Sequence, residues 1–427
     1  MIEKKWFKNS IFRGGAIFFI GGITTSALHY IYRIVMGRML GPEVFGELIA
    51  LISLILILAV PSAPVQTAAA RFSAVYQAKD SLEQLKMLFR YLTKIFVFIS
   101  LFLIILTVIF ASLIQNFLKL SSINYVYFLA GIVMVMLVAG ISKGILQGLK
   151  RFSQLSLSVV IESVGRVMLA VILVAFGFKM AGALVGFLIS LVLGFLLTIY
   201  FLWDVLSKKQ QTESNIQHTI YDKKETKKIW KYVFWSFLVF LFLNILLNVD
   251  IILVKHYFSS FEAGIYSGFA TLGRMVFISI GLLAGIMFPV VVSKQARKED
   301  YYHSLKITSL ISFLIAGIIS LVFFLFPKEF ILIFFGEKYL AGASFLGYYS
   351  VVMAAFGFIF LLSYFFMALN KFKFLFILVF GGILEILLIG IWHADFLQVI
   401  LMFFTAQIIT LIGLGTLMIL EKKKILI

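Results

Sequence analysis

Residues 22–48 read GITTSALHYIYRIVMGRMLGPEVFGEL, an apolar helix with a polar stripe that runs into a tight turn. The stripe consists of Gly22, Ser26, His29 and Arg33. These residues follow one another at steps of four, three and four, so at about 100° per residue they lie on one narrow helix face. We expect that face to meet other protein or water, because polar and ionisable side chains are costly in lipid hydrocarbon.

The turn that follows has a counterpart in the second half of the chain. Residues 38–46 read RMLGPEVFG, in which Gly and Pro enforce a turn before a second apolar run. Residues 258–264, FSSFEAG, also lie between two apolar runs, and Gly264 follows Gly46 by 218 residues. This similarity indicates an internal repeat.

A second pair of segments repeats at nearly the same spacing. Residues 145–152, ILQGLKRF, align with residues 365–372, FFMALNKF, at an offset of 220. Two junctions at almost one offset favour a duplicated unit over chance similarity between turns. An even number of helices per unit predicts parallel halves, related by an axis along the membrane normal, that rock against each other around a central cavity.

The composition is that of an integral membrane protein. Of the 427 residues, 62% are hydrophobic and 13% charged, and the mean hydropathy is +1.09. Apolar runs of about 20 residues, the length that crosses a bilayer, recur along the chain, and strand-like alternation is absent. The predicted fold is all-α, with about twelve transmembrane helices in two parallel pseudo-symmetric six-helix bundles. The helices are predicted at residues 15–37, 44–66, 92–114, 125–147, 155–178, 181–203, 232–257, 264–291, 305–327, 341–368, 374–392 and 396–420.

The distribution of Lys and Arg predicts the orientation. With the amino terminus inside, 28 of the 37 basic residues lie in inner segments and six in outer ones, while Arg33, Arg166 and Arg274 lie within helices. The positive-inside rule therefore predicts a multi-pass protein of the cell membrane with both termini cytoplasmic. The net charge of +18 fits contact with anionic membrane lipid, and the basic segments lack the features of a nucleic-acid interface.

The longest polar segment divides the chain into two predicted domains. Residues 204–231 form a basic cytoplasmic linker between an amino-terminal six-helix bundle at residues 1–203 and a carboxy-terminal one at residues 232–427. A second inner segment, residues 71–94, has apolar residues at helical spacing among charged ones. We predict an amphipathic helix lying along the headgroups, with a cytoplasmic gate as the alternative.

Ionisable residues inside the predicted helices are candidate functional groups. Arg274 lies about ten residues, or roughly 15 Å, from the outer end of its helix, which is too deep to reach the interface. It is the first candidate for an anion ligand. Arg33 is about one turn from the outer boundary, so it can either bind substrate or extend to the interface. Glu162 and Arg166 are four residues apart and are expected to form a structural pair.

Polar residues of the seventh helix continue the pattern. Asn244 and Asn248 align with Ser26 and Tyr30 of the first helix and continue its polar stripe into the second half, whereas Asp250, two residues beyond Asn248, is turned about 200° away. An unbroken helix is therefore not expected to present Asp250 and both asparagines to one lumen. Asp250 is predicted either to meet Arg274 as its counter-ion or to bind a proton or cation. Glu385 is a further buried carboxylate, with hydrogen bonding between helices as its structural alternative.

The sequence lacks the residues and motifs that several kinds of catalysis and metal binding require. The chain has no cysteine, no Gly-x-x-x-x-Gly-Lys-Ser/Thr loop and no His-Glu-x-x-His motif, and its five histidines are scattered. The predicted outer loops are too short for an extracytoplasmic catalytic domain. We therefore expect no enzymatic activity, no cofactor and no metal centre.

The turn RMLGPEVFG at residues 38–46, the junction at residues 146–152 and the twelve predicted helices resemble a known family. They are similar to the polysaccharide transporters, the Wzx-type flippases, of the multidrug/oligosaccharidyl-lipid/polysaccharide exporter superfamily. The resemblance in topology covers the whole chain, while the specific motif covers about ten residues.

This resemblance implies a flippase that moves an undecaprenyl-diphosphate-linked oligosaccharide to the outer leaflet by alternating access, in the company of membrane lipids and polysaccharide-assembly proteins. Arg274 and Arg33 are the expected diphosphate ligands, because a guanidinium donates in a fork that matches phosphate oxygens. The expected contacts to sugar hydroxyls are Ser26, His29, Asn244 and Asn248. The candidates for ion coupling are Asp250 and Glu385.

Two other classes of function stay open. A cation-coupled multidrug antiporter of the same superfamily would be favoured by carboxylates in the lumen, although such proteins usually have an acidic residue in helix one, where this chain has His29 and Arg33. A membrane-embedded polysaccharide polymerase or ligase should have a large outer loop with Arg or His, which the predicted topology lacks.

Overall fold

The computed structural model describes residues 10–78, 81–207 and 223–426, and in these residues it is helical without strands. We number the α-helices in chain order. The helices are α1 (Ser10–Leu58), α2 (Ser62–Ala78), α3 (Leu82–Ile109), α4 (Ala111–Phe117), α5 (Asn124–Gly148), α6 (Phe152–Leu173), α7 (Lys179–Leu206), α8 (Lys223–Tyr257), α9 (Ser260–Ala296), α10 (Tyr302–Leu325), α11 (Pro327–Phe334), α12 (Leu346–Ala368), α13 (Leu375–Ile391) and α14 (Phe396–Leu426).

The long apolar helices are those of an integral membrane protein. The described residues contain nine stretches long and apolar enough to cross a bilayer. Two of these, residues 20–58 and 152–206, are 39 and 55 residues long, about twice the length of one crossing. The all-helical prediction is confirmed, and the total of twelve crossings stays a prediction.

The first long stretch is two predicted helices joined at Gly41. The backbone of Gly41 has φ 74° and ψ 169°, a conformation that side-chain-bearing residues rarely adopt, and Pro42 follows it. The second of these helices ends at Leu58, earlier than predicted, and a turn at residues 59–61 leads into α2. The turn predicted from Gly41 and Pro42 is therefore present as a break within α1.

The prediction of an interfacial helix at residues 71–94 is wrong. Residues 71–78 end α2, and residues 82–94 are the first turns of the long helix α3. Leu85, Leu88 and Leu92 are buried in the protein. The helical spacing of these leucines produces an apolar face, which packs against the protein at the start of a long apolar helix. A helix bound to the headgroups would have the same spacing, so the pattern does not distinguish the two.

Clustering of contacts divides the chain into two compact units. Unit 1 comprises residues 1–39 and 58–237, and unit 2 comprises residues 40–57 and 238–427. Residues 40–57 thus belong to unit 2, whereas the sequence predicts them in the amino-terminal bundle at residues 1–203. Of the predicted linker at residues 204–231, residues 208–222 lie outside the described residues, whereas residues 204–206 end α7 and residues 223–231 begin α8.

The second repeat of the sequence is also a repeat of the backbone. The amides of Lys150 and Arg151 donate to the carbonyls of Gln147 and Leu146, which closes α5. The same two bonds recur 220 residues later, from Asn370 and Lys371 to Met367 and Phe366 at the end of α12. Lys150 and Asn370 both have left-handed backbones, with φ of 58° and 55°. Both helices therefore end in the same Schellman-type cap.

Each of these caps carries an equivalent ion pair within its own unit. Arg151 donates to both oxygens of Asp204, at 2.8 and 2.5 Å, near the end of α7. At the matching position Lys371 contacts Glu421 of α14 at 2.5 Å. The equivalence of the two contacts supports a duplicated unit.

The first repeat places two matching glycines in contact inside unit 2. A Cβ at Gly46 would lie 2.7 Å from the amide nitrogen of Gly264, and a Cβ at Gly264 would overlap the carbonyl oxygen of Pro42. Helix α9 begins at this contact with a capping box, in which Ser259 and Glu262 bond reciprocally. The absence of side chains at both glycines is what lets the two turns approach so closely.

Candidate functional site

Unit 2 contains a buried network around Arg274. Helix α9 positions this arginine, and α8 provides Asn248 and Asp250. The Arg274 Nη2 atom lies 3.1 Å from Asp250 Oδ1, and Nη1 lies 3.2 Å from Asn248 Oδ1. Nη2 also donates to the carbonyl oxygen of Leu247, and Nε donates to the Tyr349 hydroxyl at 3.3 Å. The Arg274 guanidinium is therefore bound on all three nitrogens by protein acceptors.

Two tyrosines complete the shell of Asp250. The hydroxyls of Tyr349 and Tyr266 donate to Asp250 Oδ2 at 2.8 and 3.2 Å. Asp250 is fully buried and Arg274 is 3% exposed. The ion pair is thus neutral as a whole and well hydrogen-bonded, the condition under which a buried pair is tolerated.

The structure has the predicted Asp250–Arg274 contact. Asn248 contacts the same guanidinium, although it lies two residues before Asp250 on α8. Both side chains accept hydrogen bonds from the same guanidinium, because its N–H groups point in different directions and can donate to different acceptors. The side-chain amide nitrogen of Asn244 donates to the Phe240 carbonyl of its own helix at 2.9 Å, and not to an atom of this network.

A second buried carboxylate lies close to this network. Glu385 of α13 is fully buried and accepts a hydrogen bond of 3.1 Å from the Gln407 side chain of α14. The same Gln407 nitrogen donates to the Leu246 carbonyl at 3.0 Å. Among the described residues, Glu385 Oε1 and Gln407 Oε1 have no hydrogen-bond partner. Asp250 and Arg274 are near enough to act on Glu385 electrostatically.

Unit 1 contains a different cluster, in which basic groups predominate. Glu162 of α6 accepts from Lys143 of α5 at 2.7 Å and from Arg166, one turn away, at 3.1 Å. The Arg166 guanidinium carbon lies 3.8 Å from the centre of the Phe187 ring, a cation–π contact. Arg166 Nε is buried without a hydrogen-bond partner among the described residues. Two cations therefore share one carboxylate.

The polar stripe of α1 belongs to the same region of unit 1. His29 interacts electrostatically with Arg33, Lys143 and Arg166. Ser26 donates to the Gly22 carbonyl of its own helix at 2.9 Å. Of the stripe residues predicted from the sequence, His29 thus lies within electrostatic range of three cations, Arg33, Lys143 and Arg166.

Lys143 is not among the site residues predicted from the sequence, and Arg166 is predicted only as the structural partner of Glu162. Lys143 was counted as an inner-loop residue because it is close to the end of its helix. The available signal was its position within the apolar run 125–148, where a lysine requires a partner. The carboxylate that meets it, Glu162, is 19 residues away in sequence, so spacing alone could not reveal the pair.

Two cavities lie elsewhere in unit 1, away from this cluster. One of about 870 Å³ is lined by residues that include Lys150, Trp203 and Asp204, and one of about 340 Å³ by residues that include Tyr76 and Arg151. Both flank the Arg151–Asp204 ion pair. None of the predicted site residues lines them.

Similar solved structures have this arrangement of helices. A multidrug resistance MATE family transporter of the MOP superfamily, in an inward-facing conformation, matches with a TM-score of 0.75 and 14% identity, over 92% of this chain and 95% of its own. The lipid II flippase MurJ, in an inward closed conformation, matches with a TM-score of 0.70 and 20% identity, over 93% and 86%. A MOP superfamily transporter from Pyrococcus furiosus matches with a TM-score of 0.64 and 15% identity, over 95% of each chain.

The fold is therefore that of the MOP superfamily of membrane transporters, as the sequence resemblance implied. Residues 11–295, two thirds of the chain, match the family model described as polysaccharide biosynthesis protein. The chain belongs to this polysaccharide biosynthesis family. Comparison with curated protein sequences finds no match.

Proposed function

We propose that the protein is a flippase that moves a polyprenyl-diphosphate-linked oligosaccharide from the cytoplasmic to the outer leaflet by alternating access. Membership of the polysaccharide biosynthesis family supports the substrate class, and the similarity to MurJ supports the fold that such transport needs. In this proposal the protein lies in the cytoplasmic membrane with both termini inside, and acts with other proteins of polysaccharide assembly.

The observation that carries the proposal is the basic cluster of unit 1. A diphosphate is a dianion, and it requires cations whose charge is not already cancelled. Lys143 and Arg166 share the single carboxylate of Glu162, and the field of Arg33 adds to theirs at His29. Guanidinium and ammonium groups are the usual phosphate ligands of proteins. We assign diphosphate binding first to Lys143 and Arg166, with Arg33 as a further proposed ligand because it acts on the same His29.

The remaining ligands predicted from the sequence are also proposed to contact the substrate, but Arg274 and Asn248 can do so only after a change of conformation. Arg274 can bind phosphate only when Asp250 gives up its ion pair, so we propose that it acts as a ligand in a conformation where the substrate replaces that carboxylate. Ser26, His29 and Asn244 are proposed contacts to sugar hydroxyls. Asn248 has this role only if it leaves Arg274, to which its oxygen is bonded.

A cation-coupled multidrug antiporter is the second candidate. The match to a MATE family transporter and the two buried carboxylates of unit 2, Asp250 and Glu385, favour it. Arg33 counts against it, because its guanidinium would repel a cationic drug. A polymerase or ligase has no observation in its favour, and we propose no enzymatic role.

Flipping can be tested in proteoliposomes with a fluorescent polyprenyl-diphosphate oligosaccharide. We expect Arg166→Gln and Arg274→Ala to lose flipping while inserting normally into the membrane. The matched control is Arg297→Gln, because Arg297 is an exposed arginine at the end of α9 whose pair to Glu299 is long, at 3.9 Å. Undiminished flipping by Arg166→Gln would remove the unit 1 cluster from the mechanism, and undiminished flipping by Arg274→Ala would remove Arg274.

Drug efflux by the same preparations distinguishes the second candidate. Export of a cationic dye that is lost in Glu385→Gln and unaffected in Arg166→Gln would replace the flippase proposal by the antiporter. Flipping without dye export would support the flippase.

A further inference from the structure

The buried network around Arg274 in unit 2 includes two carboxylates, Asp250 and Glu385, and one guanidinium. Arg274 is committed to Asp250 through a direct contact of 3.1 Å. Glu385 is the second carboxylate near this pair, and it is fully buried. The charged groups that act on it are Asp250 from α8 and Arg274 from α9, which together are neutral, while α14 supplies only the uncharged Gln407.

An ionised Glu385 would be poorly solvated. Its single hydrogen bond comes from Gln407, and its Oε1 atom has no donor among the described residues. A carboxylate buried without a counter-ion or a full set of donors neutralises instead of remaining charged. The Gln407 oxygen is also a buried acceptor without a donor. A group that brings one positive charge and one hydrogen-bond donor is therefore required here.

A proton meets this requirement better than a metal ion. Hard cations such as Ca²⁺ take about six to eight oxygen ligands, whereas this position has two buried oxygens without a partner, Glu385 Oε1 and Gln407 Oε1. Both oxygens of Asp250 are already used, because Oδ1 accepts from Arg274 and Oδ2 accepts from Tyr266 and Tyr349. No cluster of three or more His, Cys, Asp or Glu side chains suited to a metal occurs in the described part of the chain.

We propose that Glu385 is a proton-binding site and holds a proton in this conformation. The proton on the carboxyl group replaces the missing counter-charge, and the resulting O–H supplies a donor for a buried acceptor. The protonation follows from the surroundings of Glu385 alone. Its use in transport rests on the proposed flippase function.

Segment 246–250 of α8 links this site to the ion pair. The Leu246 carbonyl accepts from Gln407, and the next carbonyl, of Leu247, accepts from Arg274. A shift of this segment must therefore alter both networks. Substrate phosphate that draws Arg274 from Asp250 would disturb the Gln407 contact, and release of the proton from Glu385 would couple flipping to a pH gradient.

Infrared difference spectroscopy of the full chain in lipid nanodiscs tests the protonation. We expect the wild-type protein to show the carbonyl band of a protonated carboxylic acid at neutral pH, and Glu385→Gln to lose it. Gln407→Leu is the second variant. It keeps the acid but removes its hydrogen-bond donor, so the band should move to higher frequency. A band that survives in Glu385→Gln, or that disappears when sodium is added at constant pH, would overturn the proposal.

Transport measurements test the coupling separately. Wild-type proteoliposomes should flip substrate faster under an imposed pH gradient, and Glu385→Gln should lose that response. An intact response in Glu385→Gln would refute coupling through this residue. If no preparation flips the lipid-linked substrate while the infrared band is present and depends on Glu385, the proton site stands and the flippase function fails.

Discussion

The Asp250–Arg274 pair makes a sharp prediction about stability. Arg274→Gln leaves Asp250 fully buried, with two tyrosine hydroxyls as donors and no counter-ion. Breaking a buried ion pair in this way typically costs about 3–5 kcal/mol, because the remaining charge is not compensated. Asp250→Asn should cost a similar amount, since it leaves the Arg274 charge buried among neutral acceptors.

The double variant Asp250→Asn/Arg274→Gln decides whether this reasoning holds. It buries no charge and keeps amides that can hydrogen-bond, so it should be more stable than either single variant. The free energy of unfolding can be measured by denaturant titration in mixed micelles. Glu299→Gln, which breaks the exposed Arg297–Glu299 pair, is the control and should have no measurable effect. A double variant whose loss equals the sum of the single losses would refute electrostatic coupling between the two residues.

Three further tests, two of packing and one of an ion pair, compare variants by thermal unfolding in detergent. Gly264→Ala should destabilise the protein because its Cβ would overlap the Pro42 carbonyl, whereas Gly285→Ala, with open space around it, should not; equal effects would contradict the close contact of the two turns. Leu88→Ala should cost about 2–5 kcal/mol as a buried cavity, while Met87→Ala, 60% exposed, should cost much less; the reverse order would restore the interfacial helix. Arg151→Asp and Asp204→Arg should each destabilise unit 1, and the combined exchange should recover part of the loss; no recovery would mean that the 2.5 Å pair contributes nothing.

The sequence predicted the helices well because their signal is local. Apolar runs and Gly or Pro breaks are enough to locate α5, α10 and α13 to within a few residues, and the duplicated junctions are read directly from similar residues at an offset of 220. The failure at residues 71–94 has a physical cause. An amphipathic pattern indicates an apolar face, but protein and headgroup region satisfy such a face equally well.

The candidate site was harder to predict because its contacts are between distant residues. The Asp250–Arg274 pair could be anticipated, since both charges lie deep in neighbouring helices and each requires a partner. The Lys143–Glu162 and Glu385–Gln407 contacts join residues on different helices whose rotation about their axes cannot be read from a single sequence. The spacing along one helix identifies the residues on a common face, but it does not show which other helix or side chain that face contacts.

The paired ion contacts at the ends of α5 and α12 have a consequence for biosynthesis. In both units the acidic partner, Asp204 or Glu421, is synthesised about fifty residues after the basic residue that it holds. Neither contact can therefore form until the last helix of its repeat has left the ribosome. A nascent chain halted before that point would keep this cation without its acidic partner, so release of the final helix marks the completion of each half.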